Sequence, residues 1–252
     1  MTQQLWQAAK LASVGELAAS IAHELNNPLA TVILRIESVL GRLSAENPNR
    51  RALEVVEQEC KRMGDLVASL LQFSRRGDGQ SSSVDLCKEL GNSIELVQHI
   101  LRKRQITVFT QFDANTPTIF ADRQKFRQVF LNLLTNACDA MPDGGELKVR
   151  TSAVAANNDV AAVAIEIEDT GEGISPEHLE SIMEPFFTTK EEGKGTGLGL
   201  AICRRVVEEH GGTIDISSQP GNGTLVRIAV PVKNGTNAAR LRNSSDDSEF
   251  SI

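Results

Sequence analysis

Two groups of residues in this chain of 252 amino acids have the types and spacing of phosphoryl-transfer chemistry. The first is Ala22-His23-Glu24-Leu25-Asn26-Asn27-Pro28. The second is spread over three short blocks: Asn132-Leu-Leu-Thr-Asn136, Asp169-Thr-Gly171-Glu-Gly173 and Gly195-Thr196-Gly197-Leu198-Gly199. A histidine with an unperturbed pKa of about 6.5 is mostly neutral at physiological pH, so one ring nitrogen is open as a nucleophile. Glu24 is placed to hold the proton on the other nitrogen and to accept it as charge develops. The amide oxygens of Asn132 and Asn136, one helical turn apart, suit Mg²⁺, which keeps most of its waters and bridges substrate phosphates. Asp169 closes the alternating run Val163–Glu168 and is followed at once by glycines. A carboxylate at a strand end, with glycines admitting a ligand to the backbone, can accept the exocyclic amine of adenine. The third block precedes a helical pattern, where backbone N–H groups can face phosphates. A nucleotide pocket and an outward histidine on separate modules imply that the histidine itself receives the phosphoryl group.

These residues need particular elements to hold them. From Leu5 to about Leu43 the pattern is helical, with Leu17, Ile21, Leu25, Pro28, Val32 and Ile36 on one stripe. At about 100° per residue, His23 lies about 200° and Asn27 about 240° from Ile21, so both sit on the outward face. Pro28 falls inside this helix, where proline bends the axis. After the polar break Ser44–Asn49, a second helix carries Leu53, Val56, Cys60, Met63, Val67 and Leu70 at heptad spacing. One hairpin leaves each apolar stripe half covered. Two hairpins paired as a four-helix bundle cover them, which predicts a homodimer.

Gly77–Ser83 is a flexible linker by composition. Beyond it the sequence predicts helices over 85–103, 122–141 and 198–210, with Asp122 as an N-cap and Gly211-Gly212 as a stop. Strands are predicted over 106–111, 146–152, 160–168, 213–218 and 224–230. The fold class is α+β: a helical hairpin, then helices on one face of a mixed sheet. The expected domains are 1–76, 84–232 and a polar, disordered tail over 233–252.

Composition narrows the function classes. A net charge of −7 and an isoelectric point of 5.2 argue against nucleic acid as the main partner. No stretch approaches the ~20 apolar residues that span a bilayer, and no signal peptide opens the chain. Cys60, Cys87, Cys138 and Cys203 are scattered and form no CxxC pair, which reads as free thiols in the cytoplasm. His23 has Asn27 where a zinc-protease helix needs a second histidine, and the glycine blocks match neither a P-loop nor a dinucleotide-binding fingerprint.

Taken in order, His23-Glu24-x-x-Asn27-Pro28, the asparagine pair, Asp169-x-Gly171-x-Gly173, Glu184-Pro-Phe186-Phe187-Thr-Thr-Lys190 and Gly195–Gly199 resemble the layout of the two-component sensor histidine kinases. The resemblance covers residues 10–232. It implies a Bergerat ATP-binding fold, shared with Hsp90, gyrase and MutL, behind a dimeric phosphoacceptor hairpin. It further implies ATP and Mg²⁺ as cofactors, His23 as the phosphoacceptor, and Asn27 as the residue positioning water for a phosphatase activity on the partner. Asn132 and Asn136 would manage Mg²⁺, Asp169 would read adenine, and Gly171 and Gly173 would floor the pocket. Gly195, Gly197 and Gly199, in the block with Thr196 and Leu198, would hold the phosphates. The implied partners are a response-regulator receiver domain and an upstream sensor domain or separate sensor protein. One position departs from the pattern: many such kinases carry a base one turn after the second asparagine, where this chain has Asp139. Positive charge would then come from the metal, Lys190, Lys194 or another base. Two other classes stay open on residues alone: an ATP-driven conformational clamp without phosphohistidine, and a nucleotide-binding scaffold.

Overall fold

The computed structural model describes residues 25, 27–44, 47–74, 81–156, 159–190 and 195–232. His23 and Glu24 lie outside the described residues, as does the expected tail. The chain divides into two compact units, residues 1–78 with 186–198, and residues 79–185 with 199–252.

Among its described residues the first unit holds two helices, α1 (27–40) and α2 (Arg50–Ser74). Pro48 and Asn49 make the turn between them, with Asn47 Oδ1 accepting from the Asn49 N–H at 2.9 Å. Arg50 then reaches back to cap α1, donating to the carbonyls of Leu40 at 3.2 Å and Leu43 at 3.1 Å. That satisfies acceptors left open at a helix C-terminus and favours a cation there. Ile36, Leu40 and Cys60 form the buried seam, flanked by Ile33 and Leu53, and Gly64 lets Leu29 approach α2. The observed seam departs from the predicted stripes. Leu25, Val32, Val56 and Met63 are each about 44–46% exposed, as are Val39 and Val55, and Leu34 is more open still. The reason is geometric: a helix pair covers one side of each apolar surface and leaves the other side bare.

The second unit is a five-stranded sheet of order β2-β4-β5-β7-β6 with a separate two-stranded ribbon β1-β3. Its strands are β1 (Ser82–Val84), β2 (Ile106–Phe112), β3 (Ile119–Ala121), β4 (Gly145–Ala156), β5 (Asp159–Asp169), β6 (Thr213–Ser218) and β7 (Thr224–Pro231). β2 runs parallel to β4, and the remaining neighbours are antiparallel. The helices are α3 (Leu86–Lys103), α4 (Arg123–Ala140), the short α5 (Pro176–Leu179) and α6 (Gly199–Glu209). Ser82 and Ser83, counted by composition into the linker, are strand residues paired with Ala121 and Phe120. A ladder needs only backbone groups, so serine content did not reveal it.

Alternation along the strands explains the layering. Leu147, Val149, Val163, Ile165, Ile167, Val226, Ile228 and Val230 are buried, together with Phe126, Phe130, Leu133, Leu134 and Val207 from the helices. The intervening residues carry a charge ladder. Arg150 pairs with Glu166 at 3.1 Å and Glu168 at 2.8 Å, and Arg227 pairs with Glu166 at 2.9 Å. Asp122 caps α4 by accepting from the N–H groups of Gln124 at 2.9 Å and Lys125 at 3.2 Å. All four cysteines are free thiols, and burial pushes that of Cys203 up to about 12. Among the described residues, no helix is long and apolar enough to cross a membrane.

Candidate functional site

α4 carries Asn132 and Asn136 one turn apart, and both are half-buried. Asn132 Nδ2 donates to the Gly199 carbonyl at 3.2 Å, at the start of α6. The third glycine block therefore ends against the first asparagine. Neutral amide oxygens held on one helix face fit Mg²⁺, an ion that takes few protein ligands.

The Asp169 block sits on the C-terminal end of the same helix. Asp169 ends β5 at 7% exposure, opposite Thr224 in the β5–β7 register. Its Oδ1 accepts from the N–H groups of Gly171 at 2.9 Å and Thr224 at 3.2 Å. Burial raises the pKa of this carboxyl, and the two backbone donations act against the rise. The Glu172 N–H donates to the Ala140 carbonyl at 3.0 Å, closing the loop onto α4. A Cβ at residue 171 would stand 2.5 Å from that carbonyl oxygen, so only glycine admits the approach. Gly173 has a φ of 70°, and a Cβ there would stand 2.0 Å from the Gln219 carbonyl. The two glycines thus wedge one loop between α4 and the β6–β7 turn.

That turn contributes residues that sequence reading did not single out. Ser218 and Thr224 flank it and bond to each other at 2.9 Å, and Ser218 Oγ accepts from the Ile174 N–H at 2.8 Å. The only local signal was Asn222-Gly223-Thr224, which also spells a glycosylation acceptor and carried no meaning as such. Arg104 is the other addition. It ends α3, and its guanidinium pairs with Asp139 at 2.9 Å and donates to the Cys138 carbonyl. The acidic departure at Asp139 is thereby matched by a cation distant in sequence.

Of the other predicted residues, His23 and Glu24 lie outside the described residues, and the rest belong to the first unit. Asn27 is exposed on α1, and its carbonyl accepts from the Thr31 hydroxyl at 3.1 Å. In the segment 186–198, the Phe186 N–H donates to the Gly197 carbonyl at 2.9 Å, which closes the base of the loop. Leu198 is buried, its N–H donating to Thr196 Oγ1 at 3.3 Å, and the Lys190 N–H donates to Thr188 Oγ1 at 3.2 Å. Gly195 lies against the Thr188 side chain, and Lys194 is outside the described residues.

Two family descriptions match the chain. Residues 13–79 match the His Kinase A (phospho-acceptor) domain, and residues 121–234 match the histidine kinase-, DNA gyrase B- and HSP90-like ATPase family. The sensor kinase CckA of Brucella abortus (strain 2308) is 36% identical over 92% of this chain. The chain spans between 25% and 47% of the length of the curated relatives it matches. Among solved structures, full-length ShkA in complex with AMPPNP is 25% identical, with a TM-score of 0.73 over 87% of this chain and 46% of that one. The catalytic domain of the histidine kinase ThkA is 31% identical, with a TM-score of 0.54 over 60% of this chain and 95% of that one. ThkA in complex with the response regulator TrrA is 26% identical, with a TM-score of 0.63 over 90% of this chain and 64% of that one.

Proposed function

The chain belongs to the two-component sensor histidine kinases, and on that premise we propose that it transfers the γ-phosphoryl group of Mg-ATP to His23 and then to an aspartate of a response-regulator receiver domain. The observation that carries the reading is the joining of the asparagine helix to the aspartate–glycine loop through Ala140, in a chain that also matches a phospho-acceptor domain. Residues 82–232, with the β1 strand included, act as the ATP-binding domain and 1–76 as the dimerisation and acceptor hairpin.

In this reading Asp169 accepts the adenine amine, and Gly171 and Gly173 floor the base pocket. Asn132 and Asn136 hold the metal, which neutralises phosphate charge when bound. Gly195, Thr196, Gly197, Leu198 and Gly199 supply backbone donors to the phosphates, with Lys190 nearby in sequence. His23 attacks phosphorus through its neutral ring nitrogen while Glu24 takes up the charge that develops on the other. The geometry required is positioning and charge neutralisation more than covalent chemistry. Asn27, exposed on α1, orients water when the regulator is dephosphorylated. The bare apolar side of α1 and α2 supports a homodimer. The setting is cytoplasmic, and input reaches α1 from an upstream sensor domain or a separate sensor protein.

The test is incubation with Mg²⁺ and γ-labelled ATP, wild type beside His23→Gln. Acid-labile, alkali-stable label on the wild type alone is expected. ATP hydrolysis without bound label would point to a conformational clamp instead.

A further inference from the structure

We infer that Ser218 sets the base specificity of the nucleotide pocket by fixing the hydroxyl of Thr224, so that Thr224 and Asp169 present only acceptors to the ligand. The inference rests on the reading above of Asp169 as the adenine-recognising group.

A hydroxyl has one proton and two lone pairs. Ser218 Oγ stands 2.7 Å from the Gly223 carbonyl oxygen, 2.8 Å from the Ile174 nitrogen and 2.9 Å from Thr224 Oγ1. The carbonyl can only accept, so Ser218 spends its proton on Gly223. The Ile174 N–H can only donate, so it takes one lone pair. The remaining lone pair faces Thr224, and that contact is a hydrogen bond only if Thr224 supplies the proton. The Thr224 proton therefore points back toward Ser218, and Thr224 keeps only lone pairs for other partners.

Beside it, Asp169 Oδ1 already accepts two backbone donors, one of them the Thr224 N–H, so the second carboxylate oxygen is the one left for a ligand. Asp169, Ser218, Gly223 and Thr224 line one cavity of about 370 Å³. On the part of this wall that Asp169 and Thr224 form, carboxylate and hydroxyl lone pairs complement an amino group and repel a carbonyl oxygen, while Ser217, Gln219 and Asn222 lie along the rest of the lining. Adenine carries the amine where guanine carries the carbonyl. A site built around one polarity rejects the opposite one because its buried groups are left unpaired. Without the Ser218 hydroxyl, the Thr224 proton is free to turn toward the cavity and donate to guanine. Ser218 is thus a positioning residue, acting through Thr224.

The test measures Mg-ATP and Mg-GTP affinity of the full chain, each nucleotide displacing a fluorescent ATP analogue, for wild type, Ser218→Thr and Ser218→Val. Threonine and valine share a β-branched shape, so the pair differs in the hydroxyl alone. Ser218→Thr is expected to keep the wild-type ratio of ATP to GTP affinity. Ser218→Val is expected to lower it about tenfold, the worth of one hydrogen bond. Equal ratios in the two variants, each melting cooperatively, overturn the inference. If valine prevents folding, Ser218→Ala carries the same expectation, and an unchanged ratio there overturns it equally. A wild-type chain that binds both nucleotides alike would instead sink the reading of Asp169 itself.

Discussion

At Asp169 burial and ligand binding place opposite demands on one carboxyl group. Its pKa is raised, burial being the first cause. The folded state therefore holds this proton more tightly than the unfolded chain. The stability it contributes is fully present below the unfolded pKa and is lost as pH rises through the folded one. Nucleotide binding runs the other way, because Oδ1 is taken by two backbone donors and a proton on the other oxygen would turn it from an acceptor into a donor. ATP affinity, followed by calorimetry, is expected to weaken as pH falls through this raised pKa, at a higher pH than for an ordinary aspartate. Asp169→Asn should abolish that step and lower affinity about 10- to 100-fold, as expected for a hydrogen bond to a charged group; superimposable pH profiles for the two proteins would contradict the assignment. At Asn27 the expectation concerns a different reaction. Asn27→Ala should leave His23 labelling nearly intact while slowing dephosphorylation of the regulator, and equal loss of both would remove Asn27 from the phosphatase role. The residue types at these positions could be named from sequence. Their partners could not, since Thr224 and Asp169 meet only through the β5–β7 register.

α4 is the element on which the candidate site depends, and it is anchored at both ends. At its N-terminus the Asp122 carboxylate caps the first turn, while the Asp122 N–H donates to His210 Nε2 at 3.2 Å. The imidazole must then carry its proton on Nδ1, which lies 2.7 Å from the Val206 carbonyl and donates to it. The ring also meets Phe126 edge-on at 4.9 Å. His210 thus ties the end of α6 to the start of α4, and Gly199 ties the start of α6 to Asn132. Asp122→Ala is expected to cost about 1 kcal/mol in denaturant unfolding, the usual worth of an N-cap. It should also weaken ATP binding, because fraying at Asp122 loosens the helix that carries both asparagines. A stability loss with unchanged ATP affinity would show that α4 is held well enough by its core side alone. The cap was legible from the Asp122-Arg-Gln-Lys run before an apolar pattern; the His210 brace was not, because it joins residues 88 positions apart.

For the whole molecule, the bare side of the hairpin makes an oligomeric prediction. Val32, Val39, Val55, Val56 and Met63 are all exposed beside a small buried seam of Ile36, Leu40 and Cys60. Val32→Glu with Val56→Glu is expected to halve the mass found by light scattering while ATP binding persists, since both residues are exposed on the hairpin helices and neither is among the residues assigned to the nucleotide. An unchanged mass would place the dimer contact elsewhere or remove it. The sequence by itself determined what is local: where helices and strands run, because hydrophobic period is a property of neighbouring residues, and which side chains have phosphoryl-transfer chemistry, because that follows from type and spacing. Tertiary structure alone decided what is non-local. It paired Arg104 with Asp139, set the β1–β3 ribbon, and seated the Asp169 loop on Ala140 and the β6–β7 turn. Each of these joins segments far apart in the chain, and no local pattern encodes which distant donor a given acceptor will meet.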